Sequence, residues 1–231
     1  LRKSKYDIYF CIIFILLIFG FIIFGEKKLN SESKYLSKDK KFLIKVISSK
    51  IDIKRFYNVD NEYEIINDLI NLSKPDKSIP TIFIWPEGVF TSTNLKNVGQ
   101  YKKLFQSNFS DKHIIIFGIN DLKEGNNPKI YNSLAVVDNN LKILNYYYKN
   151  NLVPFGEFLP MENFLRKIGL KNIAHNYQSF SKGDERKIII IKNQYFDLSF
   201  LPLICYEIIY SGKITKKNNF DFIINISEDG W

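Results

Sequence analysis

Phe200-Leu201-Pro202-Leu203-Ile204-Cys205-Tyr206-Glu207 is an apolar run that stops at a thiol and a carboxylate. Its unbroken apolar side chains predict a strand, which places Cys205 at the strand's end. Working outward, residues 187–191 and 195–203 read as a strand pair about the turn Lys192-Asn193, and residues 220–227 read as a further strand. Two distant segments have the same form. Thr81-Ile82-Phe83-Ile84-Trp85-Pro86-Glu87 ends on a glutamate. Asn145-Tyr146-Tyr147-Tyr148-Lys149 ends on a lysine and runs into Asn150-Asn151-Leu152-Val153-Pro154-Phe155-Gly156-Glu157. A glutamate, a lysine and a cysteine therefore each stand at the end of an expected strand.

Between these markers the pattern alternates between strand and helix periods. A first strand is expected over 42–47. A helix over 60–72 carries Ile65, Ile66, Leu69 and Ile70 on one face, with Asp60 or Asn61 as its cap. The strand over 81–85 follows, then a helix over 95–109 and a strand over 114–119. Gly125 and Pro128 mark a turn within 121–129, and residues 131–137 and 142–148 form a hairpin around Asp138-Asn139-Asn140. Short helices are expected over 161–170 and 208–217. Strand pairs interleaved with helices imply an α/β layered fold. Continuous apolar strands such as 188–191 imply a sheet covered on both faces.

The first eighteen or so apolar residues from Ile8 carry no charge, about the lower length for a membrane-spanning helix. Arg2, Lys3 and Lys5 precede them; Glu26, Lys27 and Lys28 follow. The stretch is long for a cleaved leader and no small-x-small site follows, so an uncleaved anchor is expected. The expected division is a transmembrane helix with short flanks over 1–29, a polar linker over 30–41 and a globular α/β domain over 42–231. It begins with Leu and stops at Trp231 directly after a strand and a turn, so the reading expects a fold incomplete at its C-terminal end. On that reading the chain is a piece of an interrupted gene, inactive or poorly folded alone.

Composition excludes several classes. The net charge of +9 comes from lysines scattered along the chain, with no nucleic-acid motif. The two cysteines, Cys11 and Cys205, cannot form a disulfide framework or a cysteine-rich zinc site, because Cys11 lies in the apolar leader. His113 opens an apolar strand and His175 sits in a polar loop, so neither supports a metal site or a Cys-His pair. The base for a reactive thiol must come from elsewhere.

A thiol is mostly protonated at neutral pH, and its thiolate is the nucleophile. Glu87 is the candidate base. Attack on an ester or amide carbonyl places charge on oxygen, and Lys149 is the candidate to stabilise it. Taken singly, each residue has an ordinary explanation. A lone Cys in an apolar strand is commonly a small core residue, a Glu after Pro a turn residue, and a Lys a solvated one. The set with its flanks is more specific than its parts.

Those flanks resemble the successive motifs of the nitrilase, or carbon–nitrogen hydrolase, superfamily: Trp85-Pro86-Glu87; Lys149 with Leu152 to Glu157; Cys205-Tyr206-Glu207; and Asn225-Ile226-Ser227-Glu228-Asp229-Gly230-Trp231. The lysine motif, with an apolar helix upstream, is similar to the apolipoprotein N-acyltransferase branch. The resemblance implies an α-β-β-α sandwich. It also implies Glu87 as general base, Lys149 as stabiliser of the intermediate and Cys205 as nucleophile, with supporting roles for Glu157, Tyr206 and Glu207. It implies an acyl chain passing from a phospholipid, through a cysteine thioester, to the amine of a diacylglyceryl-cysteine on an apolipoprotein. The expected setting is the bacterial inner membrane with the domain facing the periplasm, and no cofactor, metal or nucleic acid takes part. Two departures stand out: Ser48 to Tyr57 keeps little of the family's early segment, with Tyr57 where tryptophan is usual, and Glu228 stands where asparagine is usual. An amidase acting on a small amide and an inactive remnant are the other readings.

Overall fold

The computed structural model describes residues 5–33, 42–48, 62–161, 179–210 and 219–228. It divides into two compact units, Leu1–Lys41 and Phe42–Trp231. The first contains helix α1 (Lys5–Ser33), which carries on beyond residue 29 into the segment expected to be linker. Tyr9–Lys28 has a mean hydropathy of 2.5 and none of it is buried, so it is long and apolar enough to cross a membrane. At 1.5 Å per residue, its twenty residues measure about 30 Å, the thickness of a hydrocarbon core.

The second unit is built on two sheets. The first has the order β1-β2-β3-β4-β5, from Leu43–Val46, Thr81–Ile84, His113–Lys123, Lys129–Val137 and Ile143–Tyr148. β1, β2 and β3 run parallel, joined by helical crossovers; β3, β4 and β5 are antiparallel, joined by hairpins. The crossovers are α2 (Glu62–Ser73) and a 3₁₀ helix, Leu95–Tyr101, that continues as α3 (Lys102–Asn108). The single helix expected over 95–109 is thus two, with Gly99, a poor helix former, inside the tighter turn-rich part. The second sheet has the order β6-β7-β8, from Ile189–Lys192, Asp197–Ile204 and Phe222–Ile226. β6 is antiparallel and β8 parallel to β7.

Strand alternation sorts the side chains into two cores. Ile115 and Phe117 of β3 face the helices, where Ile66, Leu69, Ile70, Trp85, Phe105 and Phe109 pack with them. Ile114 and Ile116 point the other way and meet Ile189, Phe200, Ile204, Ile224 and Ile226 of the second sheet. The result is a helix layer on a sheet on a second sheet, the layered α/β arrangement expected. β6 differs from expectation: Ile189 and Ile191 are buried but Ile190 is 65% exposed, and on β8 Ile223 is 42% exposed. These strands alternate between core and surface instead of being covered on both faces among the described residues.

Most of the helices expected over 161–170 and 208–217 lies outside the described residues, as do the Asp60 or Asn61 cap, Tyr57, His175 and residues 229–231. Within 208–217, the described part is the end of a 3₁₀ turn, Cys205–Ile209. His113 begins β3 and is buried, with Nε2 2.9 Å from the Asp76 carbonyl oxygen. Burial holds its imidazole below the ordinary range.

Candidate active site

Glu87 follows β2 after Pro86. Trp85 still donates to the Ile116 carbonyl at 2.8 Å, and the Pro86 carbonyl accepts from Gly118 at 3.1 Å. The chain then turns at Gly88, which has φ 65°. This turn lies against β3: a Cβ on Gly118 would stand 2.6 Å from Glu87 Cα, so only glycine lets the two backbones meet. The Glu87 amide donates to the Ser227 carbonyl, just past β8, at 3.3 Å.

Lys149 follows β5. Its backbone is fastened on both sides, donating to the Asn132 carbonyl and accepting from Gly183, each at 2.9 Å. Gly183 is another position with no space, since a Cβ there would overlap the Tyr148 carbonyl oxygen. The Lys149 side chain is 1% exposed. A buried ammonium needs carboxylate partners, and it has two. Nζ lies 2.8 Å from Glu157 Oε1, a charged hydrogen bond, and 3.9 Å from Glu87 Oε1, close enough for attraction only. Glu157 is held in turn by the Val153 amide at 2.9 Å, within the loop that the Leu-Val-Pro-Phe-Gly-Glu sequence forms.

Burial raises the Glu87 carboxyl above its ordinary range. Lys149 and the Asn132 amide oppose that rise, and the Glu157 charge adds to it. A carboxylate moved upward towards neutrality is a stronger proton acceptor than a solvated one.

Cys205 follows β7 directly. Ile204 is the last paired residue, opposite Ile226 on β8, and Cys205 itself has φ 51°. A left-handed conformation is strained for any residue with a Cβ. The strand therefore bends sharply at the thiol, which is half-buried. Two links bring this bend to the same end of the sandwich as the other groups. One runs through β8, whose continuation Ser227 bonds to Glu87. The other is Glu207, 0% exposed. Its Oε2 accepts from Ile204 N at 3.0 Å, while its Oε1 accepts from the Asn150 and Asn151 amides, directly after Lys149, at 3.0 and 2.9 Å. Oε1 also takes bonds from the Tyr147 hydroxyl and from Arg186 Nη2, both at 2.8 Å. One carboxylate thus staples the turn holding Cys205 to the turn holding Lys149. Tyr206 is exposed, with its ring against that of Tyr210.

A cleft of about 440 Å³ opens beside these turns, lined by Leu152, Phe158, Phe180 and Tyr210 with Asn150, Asn151 and Lys182. Among the described residues, no cluster of His, Cys, Asp and Glu has the form of a metal site.

The structure brings Glu87, Lys149 and Glu157 into contact and ties the Cys205 turn to them through Glu207. Sequence reading missed Asn132, whose amide bonds to Glu87 and Glu157 at 2.7 and 3.0 Å. The signal was present: Asn132-Ser133 is a polar pair inside an apolar strand. It also missed Arg186, which no local pattern separates from Lys182 and Lys187. Gly118 and Gly183 show their roles only once distant backbones are brought together.

The carbon–nitrogen hydrolase family profile matches residues 97–231. The chain belongs to the carbon–nitrogen hydrolase family. Among curated relatives in this family, it is 32% identical over 238 residues to the apolipoprotein N-acyltransferase of Wigglesworthia glossinidia brevipalpis, an alignment that covers 100% of this chain and 44% of the relative. With the apolipoprotein N-acyltransferase of Rickettsia prowazekii it shares 31% identity over 168 residues, 71% of this chain and 33% of that one. The chain therefore spans less than half the length of either. Among solved carbon–nitrogen hydrolase folds, a double mutant of the amidase from Nesterenkonia sp. AN1 in complex with acrylamide superposes with a TM-score of 0.50 at 8% identity, covering 83% of this chain and 67% of the amidase. That likeness concerns the fold alone.

Proposed function

We propose that this chain carries the acyl-transfer site of a membrane-bound apolipoprotein N-acyltransferase. Cys205 is the nucleophile, Glu87 the base and Lys149 the electrostatic stabiliser; Glu157 and Glu207 position them and Tyr206 plays a supporting part beside the thiol. The observation that carries the reading is the buried Lys149 ammonium between two carboxylates, one firmly ion-paired and one raised by burial, with the strained cysteine turn tied to the lysine turn through Glu207. Kinship to relatives named for this activity gives the reaction its class.

In the first half-reaction the Cys205 proton passes to Glu87, and sulfur attacks an ester carbonyl carbon of a phospholipid. Lys149 offsets the charge that forms on the carbonyl oxygen. Collapse breaks the ester C–O bond, Glu87 returns the proton to the departing lysophospholipid oxygen, and a thioester remains on Cys205. In the second, the free amine of a diacylglyceryl-cysteine attacks the thioester and gives a proton to Glu87. The C–S bond breaks, forming the amide, and the thiolate recovers the proton. α1 anchors the domain at the inner membrane, where both lipid substrates reside, with the domain on the periplasmic side.

The test is to reconstitute the protein that carries this chain in lipid vesicles with a phospholipid labelled in its acyl chain. A hydroxylamine-sensitive label on the protein, absent from Cys205→Ala, is the expected result. Undiminished label on Cys205→Ala would remove the assigned nucleophile. Ammonia release from small amides with no label on the protein would favour an amidase.

A further inference from the structure

Asn132 stands on β4, paired with Asn120 of β3, and is buried. Its backbone carbonyl fixes the Lys149 amide, and its side chain reaches the two carboxylates that flank the same lysine. The two donors approach the same pair of oxygens in opposite proportion. The ammonium is at 2.8 Å from Glu157 and 3.9 Å from Glu87; the amide nitrogen is at 3.0 Å from Glu157 and 2.7 Å from Glu87. An amide nitrogen carries two hydrogens and no charge, so it can serve both carboxylates at once.

We infer that Asn132 is a positioning residue that divides the work of the two carboxylates: by giving one N–H to each, it keeps Glu157 as the ion-pair partner of Lys149 and Glu87 as the group that exchanges the proton with Cys205. This rests on the reading of Glu87 as the base. The physical need is plain. Two neighbouring carboxylates repel, and each makes the other harder to ionise. A second cation at position 132 would relieve that repulsion but would leave Glu87 too weak a base. A neutral donor lessens the repulsion and leaves Glu87 able to accept. Among the described residues, the groups that face Glu87 are Lys149 from the end of β5, Glu157 from the following loop, Asn132 from β4, and the Ser227–Glu228 backbone beyond β8. Of these side chains, Asn132 is the one whose removal alters no charge.

The test reads Glu87 directly. The full chain, labelled with ¹³C at the glutamate carboxyl carbons, is titrated by NMR, and the Glu87 signal is identified by its loss in Glu87→Gln. Asn132→Leu should raise the Glu87 midpoint by about one unit, a tenfold fall in the ionised fraction well below it. Asn132→Ser, which keeps a single donor, should give a smaller rise, and it carries the measurement if the leucine variant does not fold. A midpoint unmoved in the folded variants overturns the inference. Iodoacetamide alkylation of Cys205, followed against pH in a Cys11→Ser background, separates this from the parent reading. Its acid limb should follow the Glu87 midpoint from variant to variant. If alkylation ignores Glu87→Gln while the midpoint still moves with residue 132, Glu87 loses its place as base and the hold of the amide on the carboxylates stands.

Discussion

Gly118 and Glu87 meet backbone to backbone: a methyl group on the glycine would lie 2.6 Å from the glutamate Cα. The consequence reaches the site through geometry alone. Glu87 has no freedom to retreat, because its own amide is held by Ser227 and its neighbour Pro86 by Gly118 itself. Gly118→Ala should destabilise the domain by about 1–3 kcal/mol, the usual range for an overpacked interior, and should suppress thioester formation in what remains folded. Denaturant unfolding and the acyl-labelling assay measure the two effects separately.

Glu87→Gln should have the opposite effect on stability. Burial raises the folded-state pKa of Glu87 above its ordinary value of 4.5. A carboxyl with a raised pKa contributes stability that is fully present below the unfolded value and lost as pH rises through the folded one. The ionised side chain therefore costs stability at neutral pH, and the amide removes that cost. Melting temperatures of Glu87→Gln should exceed those of the parent at pH 7, with the advantage vanishing as pH falls below 4.5. An equal advantage at every pH would assign the effect to packing. The acyl-labelling rate should fall all the while, a trade of activity against stability common at catalytic sites.

Arg186→Met should be severely destabilising. It leaves the Glu207 carboxylate, 0% exposed, without the guanidinium that lies 2.8 Å away. Breaking a buried pair from one side costs roughly 3–5 kcal/mol, whereas replacing both partners with apolar groups is often nearly neutral. The double variant Arg186→Met with Glu207→Leu should therefore recover a large share of the lost stability. It should recover no labelling, since the staple between the Lys149 and Cys205 turns is gone. Chemical denaturation of the three proteins checks the first statement, and acyl labelling the second.

The strands before Glu87 and Cys205 were legible because each is a buried apolar run that stops at a reactive side chain; the strand before Lys149 was legible from its tyrosines, although most of it is exposed and the lysine that follows is the buried residue. The face of α2 was legible for a similar reason: Ile65, Ile66, Leu69 and Ile70 recur at helical spacing and are the residues that are buried. Sheet order was not legible. Whether β1 pairs with β2 or another strand depends on contacts across forty residues or so, which no local period encodes. The exposed face of β6 was misjudged because a run of isoleucines looks the same whether one face or two are covered. The site divides along the same line. Cys205-Tyr206-Glu207 marked Glu207 as a neighbour of the thiol, but its bonds to Asn150 and Asn151 come from across the chain, as do those of Asn132 to both carboxylates.

The backbone of Cys205, with φ at 51°, has a practical bearing on how the proposed acyl-transfer site could be trapped with a lipid. Alanine, the customary substitute for a nucleophile, keeps the Cβ and so keeps the steric cost of that torsion. Glycine sheds it, about 1 kcal/mol in favour of the folded chain. If Cys205 is the nucleophile proposed above, Cys205→Gly should be a sturdier inert variant than Cys205→Ala for holding an uncleaved lipid.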